Sequence, residues 1–303
     1  MSTARERSFQ VMGTDAFLVV HGGSPELLDR AEDRLRELES LWSRFRSDSD
    51  VTRANQAAGR PVVVHPDTLA VVARAIEAWR QTQGWFDITV LPALLASGYT
   101  ASVVDNAVAP AVPGRRVGMT AMVRVDYDEG TLTVPAVSAI DLGGIGKGMA
   151  ADIVAEELIE QGATGVVVNL GGDLVVLGVP GDDVSWTIGI ENPLAPPQQV
   201  AQLFIDHGGV ATSGVAARHW TTSDGRTAHH LIDPSRGVPS STHTVSATVL
   251  ASDGATAEAF ATASMMVEAA DAVMMLDALG LAGLLVADDG QLFRTSTLKD
   301  FTV

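Results

Sequence analysis

The chain has 303 residues, 46% of them hydrophobic, and carries 37 acidic against 20 basic side chains for a net charge of −17. That length suffices for one large core or two interlocked lobes, and the negative field disfavours nucleic acid and anionic membrane surfaces as partners. The absence of cysteine excludes disulfides, thiolate nucleophiles and cysteine-ligated metal centres.

The opening stretch MSTARERSFQVMGTD is charged and polar, without the apolar core of a signal peptide. Glycine or charge interrupts every apolar run before it reaches the length of a membrane span. The expectation is a cytoplasmic globular protein with no membrane insertion. In so acidic a chain an anionic ligand must be held by backbone N–H groups, a lysine or a bound cation.

From Pro25 to Phe45, the residues Leu28, Ala31, Leu35, Leu38 and Trp42 recur at helical spacing between charged neighbours, which predicts an amphipathic helix. A second helix follows Pro66 and Asp67, with Leu69, Val72, Ile76 and Trp79 on one face and Gly84 as its stop. Residues 98–120 are rich in Ala, Val, Pro and Gly without a period and read as a variable loop excursion. VRVDYDEGTLTVP, 123–135, alternates as a hairpin that turns near Glu129 and Gly130.

The segment AIDLGGIGKGMAAD, 139–152, runs as a strand through a glycine cluster into a helix that carries one lysine, Lys147. Gly143, Gly144, Gly146 and Gly148 allow backbone to approach a bulky anion, and Lys147 is placed to neutralise one. The spacing matches neither the P-loop nor the dinucleotide fingerprint. By itself the segment reads equally well as a glycine-rich β-to-α turn with a solvated lysine.

A helix through Ile153, Val154 and Leu158 ends at Gly162, and GVVVNLGGDLVVLGVP, 165–180, predicts a buried strand, a glycine turn and a second strand. Further strands are expected at 185–191, 199–205 and 243–251, helices near 254–267 and 270–279, and a last hairpin at 283–295. Helices mix with mostly antiparallel strands and no regular βαβ alternation, which predicts an α+β fold over the single span 1–303. Asp253 reads as a helix N-cap and Asp233, before Pro234, as the organiser of a turn. Glu258 and Thr262, four apart, share one helical face and can reach one cation together.

Six segments taken in order carry a resemblance: MGTDAF (12–17), SRFRSDSDVTRAN (43–55), GWFDITVLPALL (84–95), AIDLGGIGKGMAAD, VNLGGD, and the set ATSGVAARHW, HHLIDPSRGVPSS and ASDGATAEAFATA between 211 and 263. Together they resemble the ApbE family of FAD:protein FMN transferases over nearly the whole chain. The resemblance implies an α+β, ApbE-like (T-fold-like) architecture of two interlocked lobes. It also implies an Mg2+-dependent transfer of FMN from FAD to a threonine or serine hydroxyl of an acceptor protein bearing a DxxTGAT-like motif, with release of AMP.

By the same resemblance Met12, Phe45, Trp85, Phe86, Asp87, Asp141, Lys147 and Leu231 fall at FAD-binding positions. Gly144, Glu258 and Thr262 fall at metal positions, Gly144 through its carbonyl oxygen. His230 falls where the family places the base that activates the acceptor hydroxyl, and Lys147 where it stabilises the diphosphate. Glu258 departs from the family's aspartate by one methylene, which puts coordination geometry and metal preference in question. Read without the resemblance, Phe45 and Phe86 are core aromatics, Asp87 caps a turn and His230 is a strand-end histidine bonded to backbone. The alternatives within the same pocket are an FAD pyrophosphatase giving FMN and AMP, or a non-catalytic FAD carrier. The pieces EQGATG and SDGATA do not complete that motif, so the acceptor is expected to be a separate protein.

Overall fold

The computed structural model describes residues 4–101, 107–112, 114–181, 185–216, 218–221, 225 and 227–302. Its backbone separates into two compact units: Met1–Arg36, Lys147–Gly214 and Thr242–Val303 form the first, Glu37–Gly146 and Val215–Ser241 the second. Part of the expected excursion at 98–120, residues 102–106 and 113, lies outside the described residues.

The first unit is built on an eight-stranded sheet ordered Arg5–Val11, Thr14–Gly22, Ala163–Leu170, Asp173–Gly178, Gly208–Gly214, Thr244–Ala251, Ala282–Ala287 and Leu292–Arg294. Its pairings are antiparallel throughout. The period of two in GVVVNL sends Val167 to one face with Val19, Val176, Val210, Leu250 and Leu284, where the hairpin Trp186–Glu191/Gln199–Ile205 closes over them with Trp186, Ile190, Leu203 and Ile205. Each such side chain withdrawn from water contributes about 1.5–3 kcal/mol.

The helix Gly254–Ser264 packs on the strands Gly208–Gly214 and Thr244–Ala251. Its buried residues are mostly alanines, which permits close approach. At its first residue the approach becomes backbone to backbone. A Cβ on Gly148 would lie 2.1 Å from the Gly254 carbonyl oxygen, and one on Gly209 would lie 2.4 Å from the Gly254 nitrogen. Asp253 caps this helix by accepting from Thr256 N at 2.8 Å, as the sequence predicts. A second carboxylate, Asp152 of the helix Gly146–Glu160, accepts from Gly254 N at 2.7 Å and Ala255 N at 2.9 Å.

The opening hairpin turns through Met12 (φ 53°) and Gly13 (φ 69°). Two consecutive positive φ angles match the twist of the flanking strands, but the first normally favours Asn or Gly; methionine there carries strain of order 1 kcal/mol. This hairpin, the strand Gly208–Gly214 and the helix Asp50–Gln56 are elements that periodicity does not predict.

The second unit contains the helices Asp50–Gln56, Pro66–Gln81 and Leu91–Ala96 and a small sheet of Val62–Val63, Thr131–Thr133 and Arg124–Asp126. The predicted hairpin at 123–135 supplies two of those strands, turning through Gly130 at φ 64°. Pro66 opens its helix behind His65, whose Nδ1 accepts from Asp67 N, and Gly84 stops the chain at φ 89°. Asp50 is 4% exposed and accepts from His65 N and the Thr68 hydroxyl. Buried Asn55 holds residue 140 by both of its backbone polar groups, donating to Ile140 O at 2.9 Å and accepting from Ile140 N at 2.8 Å. Among the described residues no helix is long and apolar enough to cross a membrane.

Two outcomes follow from the junction at Gly254. Gly148→Ala forces a methyl into a carbonyl oxygen and is expected to cost about 3 kcal/mol, read from urea unfolding midpoints; a loss under 0.5 kcal/mol contradicts the contact. Burial pushes the Asp152 carboxyl up to about 7, against the two N–H groups that favour its anion. The unfolded chain sheds this proton near pH ~4, so the stabilisation is full below that pH and is lost as pH rises through about 7. Asp152→Asn is therefore expected to flatten the dependence of unfolding free energy on pH between about 4 and 7. Parallel parent and variant curves would assign the slope elsewhere.

Candidate functional site

In the first unit the glycine segment delivers Lys147 on the first turn of its helix, and the ammonium is gripped by two carboxylates, Asp173 and Glu258. The side chains of Lys147, Asp173 and Glu258 are 16%, 7% and 3% exposed. Asp173 also accepts from Thr212 N at 3.1 Å, and Glu258 from Gly148 N at 2.8 Å. Burial pulls the lysine pKa down, but the charges of Asp173 and Glu258 outweigh it and hold the ammonium protonated. For Glu258 burial raises the carboxyl and the Asp173 charge adds to it; Lys147 counteracts only in part, leaving it pushed up to about 7. With Glu258 ionised the triad carries one net negative charge out of water, a condition that an added cation relieves.

Thr262 lies one turn beyond Glu258, its hydroxyl 3.2 Å from that of Ser213. Thr212, of the same TSG turn, pairs its hydroxyl with Thr248 at 2.9 Å. Among the described residues no three His, Cys, Asp or Glu side chains group as a ready metal cage. The side-chain donors on this face of the helix, the Glu258 carboxylate and the Thr262 and Ser213 hydroxyls, are oxygen and suit a hard cation such as Mg2+, but Lys147 Nζ and Gly148 N already engage both Glu258 oxygens, so a cation there shares the carboxylate with the ammonium or displaces it. Asp173, in the quoted VNLGGD segment, is the member that the sequence reading leaves without a role. Met12 belongs to this unit at the strained turn.

The second unit holds the remaining candidates. Asp141 accepts from Gly143 N at 2.8 Å through Oδ1, so it shapes the glycine turn in which Gly144 lies, and its own N–H donates to Ile88 O at 2.8 Å. Its Oδ2 meets Arg44 Nε at 3.0 Å. The Arg44 guanidinium is buried over the rings of Phe45 (4.2 Å to the centroid) and Tyr99 (4.7 Å), and it donates to Tyr99 O at 3.2 Å. Tyr99 stacks on Trp220 at 5.3 Å, and the Trp220 indole donates to Ser97 O at 2.7 Å. Phe45 is partly buried with an edge toward Tyr99. Sequence reasoning misses Arg44; a cation between two aromatics and an aspartate distant in the chain leaves no periodic signal.

Trp85 is half-buried, whereas Phe86 at 2% and Leu231 at 4% exposed have the burial of core residues. Asp87 is 5% exposed and caps the short helical turn Ile88–Val90, its Oδ1 accepting from Thr89 N at 2.6 Å and from the Thr89 hydroxyl. Burial raises its pKa. Beyond Thr89, the carboxylate faces the hydroxyl and the N–H of buried Thr120, both of which favour its anion. His230 follows the strand Thr227–His229, and its Nδ1 is 3.3 Å from Arg218 O. A carbonyl oxygen only accepts, so this contact is made by the tautomer that carries its proton on Nδ1. Adjacent His229 engages Ser240 O at 3.0 Å through Nε2, and burial lowers its pKa. Asp233 organises the turn after Pro234, accepting from Ser235 N at 2.8 Å and the Ser235 hydroxyl at 2.7 Å.

The chain matches a known group of proteins in sequence and in fold. Residues 12–285 match the sequence model of the ApbE family. An FAD:protein FMN transferase of Vibrio cholerae is 32% identical over 276 residues, covering 88% of this chain and 82% of the relative. One of Klebsiella pneumoniae is 31% identical over 263 residues, covering 84% and 80%. Among solved structures, the ApbE protein of Thermotoga maritima superposes with a TM-score of 0.85 at 25% identity, covering 99% of this chain and 100% of that one. The flavin transferase ApbE of Vibrio cholerae does so with a TM-score of 0.80 at 27% identity, covering 99% and 100%. The match runs through the segments that hold Lys147, Glu258, Asp141 and His230, and the chain belongs to the ApbE family.

Proposed function

We propose that this chain is an Mg2+-dependent FAD:protein FMN transferase, the activity named for its relatives in Vibrio cholerae and Klebsiella pneumoniae. The observation that carries the reading is the buried Lys147 held between Asp173 and Glu258, a positive charge oriented at the head of a helix. A diphosphate is attracted to the helix N-terminus and, once a cation offsets the net negative charge of the triad, to that ammonium.

The reaction is an in-line displacement: the hydroxyl oxygen of an acceptor threonine or serine attacks the FMN phosphorus of FAD, and the bond to the AMP oxygen breaks. On the resemblance His230 is the base that takes the hydroxyl proton, its ring oriented by the contact of Nδ1 with Arg218 O. Lys147 stabilises the charge that develops on the diphosphate oxygens. Glu258 and Thr262 would hold Mg2+; the Gly144 carbonyl is a candidate oxygen donor on the family resemblance alone. The ion, when bound, neutralises phosphate oxygens and the net charge of the triad. On the resemblance, Asp87 accepts from a ring N–H, Asp141 and Phe45 contact the nucleotide, and Met12, Trp85, Phe86 and Leu231 complete the walls. The acceptor is a separate protein with a DxxTGAT-like motif.

The test is incubation with FAD, Mg2+ and such an acceptor, with mass spectrometry of the acceptor and chromatography of the nucleotides. An FMN adduct with equimolar AMP is expected. No adduct and no AMP sinks the reading, whereas AMP without adduct makes the protein a pyrophosphatase. His230→Ala is expected to keep FAD affinity and slow transfer by about 10²–10⁴-fold. Lys147→Ala is expected to weaken FAD binding and also to lower the melting temperature, because it leaves two buried carboxylates without their counter-ion. Equal loss of affinity in both variants contradicts the division of roles.

A further inference from the structure

We infer that Arg44 is a positioning residue for nucleotide binding: it holds Asp141, and through Asp141 the glycine turn, in the geometry that receives FAD. This rests on the reading of Asp141 as a nucleotide contact. Three features of the second unit carry it. Arg44 is buried, 6% exposed, and spends its fork on two partners, Asp141 Oδ2 at 3.0 Å through Nε and Tyr99 O at 3.2 Å through Nη2. Its plane is covered by Phe45 and Tyr99, the latter backed by Trp220, so the guanidinium cannot swing away. Asp141 in turn spends Oδ1 on Gly143 N, the first glycine of the turn. The carboxylate is thus fixed from both sides, by a cation and by the backbone it shapes.

A stability role alone does not explain this choice of residue. Removing a guanidinium from water is expensive, an apolar side chain fills such a space at least as favourably, and here Nη1 stays buried with no partner among the described residues. What arginine alone supplies is the planar fork, which meets a carboxylate and a carbonyl at once while stacking on rings; lysine has one point of charge on a flexible stem. Arg44 also covers one face of Phe45, so a flat ligand ring can stack only on the other face.

The experiment is FAD titration of the full chain by flavin fluorescence, with steady-state kinetics, for Arg44→Met, Arg44→Lys, Asp141→Asn and the double variant Arg44→Met/Asp141→Asn. Each single variant is expected to lose about tenfold in FAD affinity, and the double variant no more than Asp141→Asn by itself, because both act through one carboxylate. The KM for FAD is expected to rise more than kcat falls. Additive losses, or Arg44→Met with parental affinity beside a weakened Asp141→Asn, overturn the role of Arg44. Parental affinity in Asp141→Asn overturns instead the premise about Asp141, and the inference falls with it. Should Arg44→Met melt below the assay temperature, Arg44→Lys carries the comparison, since it retains the buried charge; parental affinity there counts against the fork.

Discussion

The first unit depends on a contact in which side chains are absent. At Gly254 the head of one helix meets Gly148 of another helix and Gly209 of the central sheet, each so close that a Cβ on either would overlap backbone. A Cβ on Gly254 itself would lie 2.7 Å from Val175 Cγ2. Close packing of this kind transmits position, because the backbones have no soft side chain between them to absorb a shift. Lys147 precedes Gly148 by one residue and Glu258 follows Gly254 by one turn, so the same contact sets their separation. Asp152 ties the two helices by accepting from the first-turn N–H groups of Gly254 and Ala255, which the Asp253 side chain, bonded to Thr256 N, leaves open.

On that frame the chain places charges where water does not reach. Lys147 between Asp173 and Glu258 is stable only as a set: any member alone is a buried charge without compensation. The Glu258 carboxylate spans Lys147 Nζ and Gly148 N at once and so ties its helix to the lysine-bearing one. In the second unit the same economy recurs with Arg44 and Asp141, again with both oxygens of the carboxylate engaged.

Much of the fold is legible in the chain because its signals are local. The helix Pro66–Gln81 has its proline at the start and its left-handed glycine at the end. The strands Ala163–Leu170 and Asp173–Gly178 carry a β-branched run around a glycine turn whose Gly171 and Gly172 have φ of 68° and 98°. The strand Gly208–Gly214, although central, was illegible for a physical reason. Its sequence GGVATSG is small because a helix lies on it, and smallness has no period. The opening hairpin hides likewise behind a methionine in a turn position that local energetics disfavour.

The chemistry divides along the same line. From sequence alone come the family segments, the absence of thiol chemistry, the capping roles of Asp253 and Asp233, and the candidacy of Lys147, Glu258, Thr262 and His230. These depend on residue type and near spacing, which a linear string records. The pairing of Lys147 with Asp173, 26 positions away, and of Arg44 with Asp141, 97 positions away, is decided only by tertiary structure. A buried charge finds its partner across space rather than along the chain, and nothing in the neighbours of Arg44 announces a carboxylate folded against it.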